Sequence, residues 1–207
     1  MTPGRLTRVL GEPPVPEGTW EREAVYVSAA ALRRGVPPGD LAERVRALPG
    51  AGPVEVRPNG FLRIVVPVPG ELVTEIEPLD LADPGWPDFP RTWANPGFVV
   101  RYGHVRAVAV ERWARELGVP TGDFRPETLD DPRDRAVLRV LAEIPGRLGS
   151  RDPAWAAFLV RLALAYHDAH EHARAVPMGD APAGAVHGAR VRLARAVRGV
   201  LVGPDRL

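Results

Sequence analysis

The sequence contains no cysteine, no lysine and no long apolar run. Without cysteine the chain forms neither a disulfide nor a thiolate metal site, and this absence favours a reducing, cytoplasmic setting. Without lysine it cannot build a P-loop or another lysine-dependent phosphoryl-transfer site. The absence of a long apolar run predicts that no helix spans a membrane.

Arginine supplies all of the side-chain positive charge apart from histidine. The 27 arginines face 26 acidic residues, but residues 1–100 carry 10 arginines against 13 acids (net −3) and residues 101–207 carry 17 against 13 (net +4). Planar guanidinium groups suit contacts with phosphates and stacking on bases. A compositional bias towards arginine, alanine, glycine and proline also accounts for the missing lysine, so charge alone does not identify a partner.

The first part of the chain is predicted to be a small α+β domain over residues 1–70. Residues 24–34 and 38–48 have helical patterns. Residues 54–57 and 61–66 alternate around Pro58-Asn59-Gly60, and Asn-Gly supplies the positive φ of a tight turn. The predicted unit is therefore two helices plus a β-hairpin.

The remainder is predicted to be a linker followed by an all-α bundle. Six prolines between residues 67 and 92 predict a linker over residues 71–92. Helical patterns then dominate, at residues 97–117, 133–148, 153–176 and 187–202. Helices joined by short connections predict a helical bundle over residues 93–207.

The helix predicted over residues 97–117 has three distinct faces. A period of about 3.6 residues assigns one stripe to the core: Val100, Gly103, Ala107, Val110, Ala114 and Leu117. The opposite side carries Arg101, Arg112 and Arg115. Tyr102, Arg106 and Trp113 lie at the border, where a ring beside a guanidinium can stack an unpaired base and bind its edge. The same pattern fits rings at the rim of a bundle that arginine side chains cover.

The end of the helix predicted over residues 153–176 is rich in histidine. His167, His170 and Glu171 stand at i, i+3 and i+4, a spacing that can hold zinc or form a carboxylate–histidine acid–base pair. No nucleophile or oxyanion element accompanies them, and no cofactor is expected.

The last predicted helix carries a stripe of arginines. Arg192, Arg195 and Arg198 share one side of the helix, and no acidic residue lies at i±4 to neutralise them. The stripe fits either contacts with phosphates or a solvated helix face.

Three stretches resemble the anticodon-binding (DALR) domain of arginyl-tRNA synthetases. Residues 95–106 read Asn-Pro-Gly-Phe-Val-Val-Arg-Tyr-Gly-His-Val-Arg, where the family has Asn-Pro-x-aromatic-x-x-Gln-Tyr-Ala-His-x-Arg. Residues 162–174 resemble its Phe-His-x-Phe-Tyr-Asn-x-x-Arg element, and residues 189–201 resemble the segment that gives the domain its name. The resemblance implies that Tyr102 and Arg106 line a pocket for the splayed anticodon. The other candidate RNA-binding residues, from this resemblance and from the helical patterns, are Arg101, Trp113, Tyr166, His167, Arg174, Arg192, Arg195 and Arg198.

The first 70 residues resemble the N-terminal added domain of the same synthetases, which touches the tRNA elbow. Residues 26–32 and 58–62 carry that likeness. In the family a catalytic domain with His-Ile-Gly-His and Lys-Met-Ser-Lys signatures separates the two parts. Here only residues 71–92 do so, too few for a doubly wound nucleotide-binding domain. The resemblance thus implies that the catalytic domain is missing.

The resulting expectation is a non-catalytic protein that binds tRNA, with no membrane or DNA partner. It would recognise arginine tRNA by its anticodon arm and present it to a partner enzyme that modifies, charges or consumes it. The alternative is a protein-interaction adaptor that keeps the bundle but has lost RNA binding.

Overall fold

The computed structural model describes residues 1–82, 84–201 and 203. Residues 1–66 form three short helices and a four-stranded antiparallel sheet with the strand order β1-β2-β4-β3. In chain order the elements are α1 (Pro3–Leu10), β1 (Val15–Glu17), β2 (Ala24–Ser28), α2 (Ala30–Arg34), α3 (Pro38–Arg46), β3 (Val54–Val56) and β4 (Leu62–Val66).

The predicted hairpin is confirmed, but part of the first predicted helix is wrong. β3 and β4 pair with Val54 opposite Ile64. Residues 24–28 are not helical: they form β2, which pairs with both β1 and β4. Three consecutive residues of β2, Ala24 to Tyr26, are buried. A short run of buried apolar residues has no clear period, so it cannot be told from a buried helix by pattern alone.

The segment predicted as a linker is partly packed into the protein. A 3-10 helix (Pro69–Glu75) includes its first residues and buries Leu72 and Val73. Further along, the amide of Leu79 donates to the carbonyl of Gly199 at 2.8 Å. The buried apolar residues before and after this segment belong to one continuous core.

The second half consists of helices, as predicted. They are α4 (Pro96–Glu116), α5 (Pro132–Leu141), α6 (Ile144–Leu148), α7 (Trp155–His172) and α8 (Ala185–Val200). α4 packs against α7 and α8, and α5 packs against α7. The helix predicted over 133–148 is divided into α5 and α6, because Pro145 has no amide hydrogen for the carbonyl one turn before it. No helix within the described ranges is long and apolar enough to cross a bilayer.

The core stripe of α4 is confirmed except at its end. The residues from Val100 to Ala114 that were assigned to the core are buried. Leu117 is 55% exposed instead, because α4 ends one residue before it. Gly103 allows a close approach of the other helices: a Cβ there would lie 3.1 Å from Leu201 and 3.3 Å from Ala163.

A buried ion pair joins α5 to α8. Asp134 is 1% exposed, and its carboxylate accepts a hydrogen bond from Nε of Arg190 at 2.9 Å. Arg190 also donates to the carbonyl of Arg174. Burial raises the pKa of Asp134 to about 6, against the opposing effect of Arg190.

We expect Asp134 to make the stability of the fold depend on pH. Because the pKa of Asp134 is about 6 in the folded chain and ordinarily 3.8, the folded state holds the proton more tightly than the unfolded state. Its contribution to the free energy of unfolding is therefore largest below about pH 4 and falls as the pH rises to about 6. Urea denaturation of the wild type and of Asp134→Asn across this range measures that contribution as a difference. If the wild type does not lose stability relative to Asp134→Asn as the pH rises from about 4 to about 6, the assignment is contradicted.

Candidate nucleic-acid interface

Asn95 organises the start of α4. It is 5% exposed, and its Oδ1 accepts a hydrogen bond from the amide of Gly97 at 3.0 Å, which caps the helix. Its Nδ2 donates to the carbonyls of Pro87 and Pro90, both at 2.9 Å. One side chain thus begins the helix and fixes the preceding segment against it.

Arg101 also fixes the segment before α4 against the helix. Its guanidinium pairs with Asp88 at 2.8 Å and donates to the carbonyl of Trp86 at 3.2 Å. The side chain is 15% exposed. The expectation that Arg101 faces solvent is therefore wrong, because the segment before α4 folds back over this side of the helix, and its contact with RNA stays a prediction.

Four rings from this segment, α4 and α7 meet at the surface. The ring centroid of Trp93 lies 4.5 Å from that of His167, 5.7 Å from that of Tyr102 and 5.8 Å from that of Phe98. Phe98 stacks on Tyr102 at 5.4 Å with an interplanar angle of 14°. We call Trp93, Phe98, Tyr102 and His167 the aromatic surface.

Within the aromatic surface, Tyr102 is flanked on both sides. Phe98, one turn earlier, covers one side of the Tyr102 ring, and the guanidinium of Arg106, one turn later, lies 4.4 Å from its centroid. Trp93 is 51% exposed, so it offers the accessible ring. The pattern of α4 identified Tyr102 but missed Trp93, which lies before the helix and reaches it only through the turn that Asn95 holds.

Arg106 lies at the centre of a small polar network. It forms an ion pair with Glu171 and donates to Nδ1 of His167 at 2.8 Å, so this nitrogen carries no proton. Burial and the charge of Arg106 lower the pKa of His167. The hydrogen bond from Arg106 lowers the pKa of Glu171. At neutral pH the network therefore combines one guanidinium, one carboxylate and a neutral imidazole.

The zinc interpretation of the α7 histidines is wrong, whereas the acid–base interpretation stays a prediction. Glu171 is engaged by Arg106, and His170 turns towards the rings of Tyr166 and Trp113. Among the residues with described positions, no three histidine, cysteine or acidic side chains could together hold a metal ion.

Three other predicted contact residues differ in exposure. Tyr166 is only 4% exposed, and burial raises its pKa, so the expectation that it meets RNA at the surface is wrong. It turns inward because its position on α7 faces α4 and the core. Trp113 is 38% exposed, and Arg174 is exposed just after α7. These two remain accessible to a partner.

Two arginines of the α8 stripe form ion pairs with an acidic residue on another helix. Nε of Arg195 lies 3.2 Å and Nε of Arg198 lies 3.1 Å from the carboxylate of Glu111 on α4. Arg192 donates to the carbonyl of Thr121 at 3.0 Å and lies over the ring of Phe124. The inference that the stripe lacks a neutralising acid therefore holds within α8 but not in the fold.

Part of this chain is similar to known proteins. Over 116 residues it is 38% identical to the arginine–tRNA ligase of Clavibacter sepedonicus, and over 118 residues it is 37% identical to that of Frankia alni. Each match covers 54% of this chain but only 21% of the ligase. The chain thus spans about a fifth of the length of these curated relatives.

No protein-family model and no solved structure matches the chain. The coarser part of the predicted resemblance is confirmed: the matches identify a region of this chain that is related to arginine–tRNA ligases.

Proposed function

We propose that this protein is a non-catalytic tRNA-binding protein that recognises arginine tRNA through the anticodon arm. The observation that carries the proposal is the aromatic surface beside Arg106, in a chain that is related over half its length to arginine–tRNA ligases. Half-exposed rings next to guanidinium groups are the surface that unpaired bases stack on.

In this proposal Trp93 stacks a splayed base, and Tyr102 and Phe98 support its indole from beneath. Arg106 lies within the same cluster and can turn an N–H towards the edge of the base. The exposed Arg91 and Arg174 stand nearby in the chain and can contact phosphates. The accessible part of the site is thus displaced from Tyr102 towards Trp93.

The α8 stripe supplies a second contact with the phosphate backbone. The side chains of Arg195 and Arg198 are 55% and 43% exposed, and they share the single carboxylate of Glu111. Exposed ion pairs are worth about 0–1 kcal/mol, so exchanging this carboxylate for a phosphate costs little. Because two guanidiniums share one carboxylate, one positive charge remains without a neutralising acid in this group.

The absence of catalysis is proposed from the sequence. The sequence contains no His-Ile-Gly-His signature and no lysine from which a Lys-Met-Ser-Lys signature could be made. A protein of this kind binds a tRNA without activating an amino acid. We propose that it presents arginine tRNA to a partner enzyme, which modifies, charges or consumes it.

A second candidate function is a protein-interaction adaptor that derives from the same bundle. The ion pairs of Arg101 with Asp88, of Arg106 with Glu171 and of the α8 arginines with Glu111 favour it, because they interrupt the positive charge along the helices. In the adaptor, these networks would stabilise the bundle and a protein would cover the exposed rings.

Gel-shift titration with arginine tRNA distinguishes the two functions. If about three guanidiniums neutralise phosphates, the logarithm of the binding constant should fall with the logarithm of the salt concentration with a slope of about −2 to −3. A tRNA with an unrelated anticodon should bind more weakly. If no tRNA forms a shifted band at low salt, RNA binding is refuted and the adaptor function is the one that remains.

A further inference from the structure

A cleft that no predicted function uses lies between the first part of the chain and the bundle. Its walls are the loop of residues 18–21, α5 and α7, and its volume is about 750 Å³. Small-molecule sites commonly have about 300–1,000 Å³ and lie where two structural units meet. The cleft does not include the residues of the aromatic surface or of the α8 stripe.

The floor of the cleft is apolar. Ala136 and Val140 of α5 and Leu164 and Ala165 of α7 line it. Leu164 is 45% exposed, although it lies in the middle of a helix with a well-buried opposite face. An apolar floor of this kind can lie against the face of a heteroaromatic ring.

One end of the cleft has an excess of positive charge. The carboxylate of Glu143 accepts hydrogen bonds from three guanidiniums: that of Arg139 at 2.9 Å, that of Arg147 at 2.6 Å and that of Arg161 at 2.5 Å. Three cations on one anion leave two positive charges. Arg139 and Arg161 line the cleft, and the side chain of Arg161 is 46% exposed, so it has N–H groups left for an arriving anion.

The other charged side chains of the cleft, Glu21, Arg133 and Asp168, carry one net negative charge. Arg133 lies 3.7 Å from Asp168 at the opposite end, and His172 also contacts Asp168. Glu21 stands exposed on the loop wall. The lining as a whole holds three arginines and three carboxylates, so the positive charge is local to the end at Arg139 and Arg161, where Arg147 behind the cleft also pairs with Glu143. The apolar floor runs away from that end.

We propose that this cleft binds a nucleotide unit, with its phosphate at Arg161 and Arg139 and its base on Val140 and Leu164. Guanidinium groups hold phosphates through paired N–H donors, and the neighbouring floor takes the uncharged part. An unpaired residue of bound RNA and a free mononucleotide share this chemistry. The first source rests on the proposed function, whereas the second does not.

Two ligands test the cleft and separate its sources. We would titrate the full chain with AMP by calorimetry and with a short fluorescein-labelled single-stranded RNA by anisotropy. Arg161→Ala and Leu164→Asp should each weaken binding about tenfold. Leu164→Asn repeats the test without adding a negative charge. Arg44→Ala, an exposed arginine of α3, is the matched control and should change either affinity less than about twofold.

The outcomes separate this site from the proposed function. Weaker binding of both ligands, or of either one alone, in the cleft variants supports the site and identifies its source. Binding of neither ligand, or affinities that these variants leave unchanged, overturns it. If RNA affinity falls with Trp93→Leu while the cleft variants change neither the RNA affinity nor the AMP affinity, the aromatic surface stands and the cleft is refuted. The reverse result refutes the aromatic surface alone.

Discussion

Replacing Arg190 by alanine is expected to lower the free energy of unfolding by about 3–5 kcal/mol. Asp134 is 1% exposed, and the guanidinium of Arg190 is the cation that its carboxylate contacts. Without Arg190, which lowers the pKa of Asp134, the buried carboxyl must either stay charged without a partner or take up a proton, and both cost more than the loss of an exposed ion pair. Urea denaturation at pH 7, fitted to a two-state transition, measures the change.

Two further variants show whether the buried charge is the cause. Arg192→Ala, two residues along α8, removes a guanidinium that donates to backbone carbonyls and should cost about 0.5–1.5 kcal/mol. Combining Arg190→Ala with Asp134→Asn should recover part of the stability, since the uncompensated charge is then gone. If Arg190→Ala costs no more than Arg192→Ala, the ion pair does not hold α5 to α8.

Local spacing was sufficient to predict the features that depend on neighbours in the chain. The stripe from Val100 to Ala114 follows the helical period, and Asn59-Gly60 marks the hairpin between β3 and β4. Both depend on residues a few positions apart, whose relative directions the backbone geometry determines. The period was uninformative for β2, where consecutive buried residues carry no alternation.

The features that local spacing could not predict join distant parts of the chain. Glu111 neutralises arginines more than eighty positions later, and Asp88 pairs with Arg101 only because the segment before α4 folds back. No repeat or spacing in a single sequence indicates such pairs. The same limit explains why Trp93 was missed: its contact with His167 joins two elements that meet only in the folded bundle.

These cross-helix pairs change how the proposed RNA binding should work. A guanidinium that already has a carboxylate must exchange partners to contact a phosphate, so its net contribution is smaller than that of an unpaired one. The contribution of a stacked base does not depend on such an exchange. The affinity should therefore depend more on the exposed indole of Trp93 than on any single arginine of the α8 stripe.

Trp93→Leu is accordingly expected to weaken binding of arginine tRNA by about 1–3 kcal/mol, roughly fivefold to 150-fold. Leucine keeps apolar bulk against His167 and Tyr102 but has no π face on which a base can stack. Trp93→Phe, which restores a ring, should retain most of the affinity. Gel-shift titrations at constant salt measure these differences, and circular dichroism shows whether each variant is folded.

A matched control lies at the other end of α7. Trp155 begins that helix, about 18 Å along its axis from His167. Its ring packs edge-on against Phe158, so Trp155→Leu is the same chemical change in an apolar setting away from the aromatic surface. It should leave tRNA affinity within about twofold, because a folded bundle with an intact aromatic surface keeps its base contacts. Equal losses in the two leucine variants would mean that destabilisation of the bundle, and not stacking on Trp93, weakens the binding.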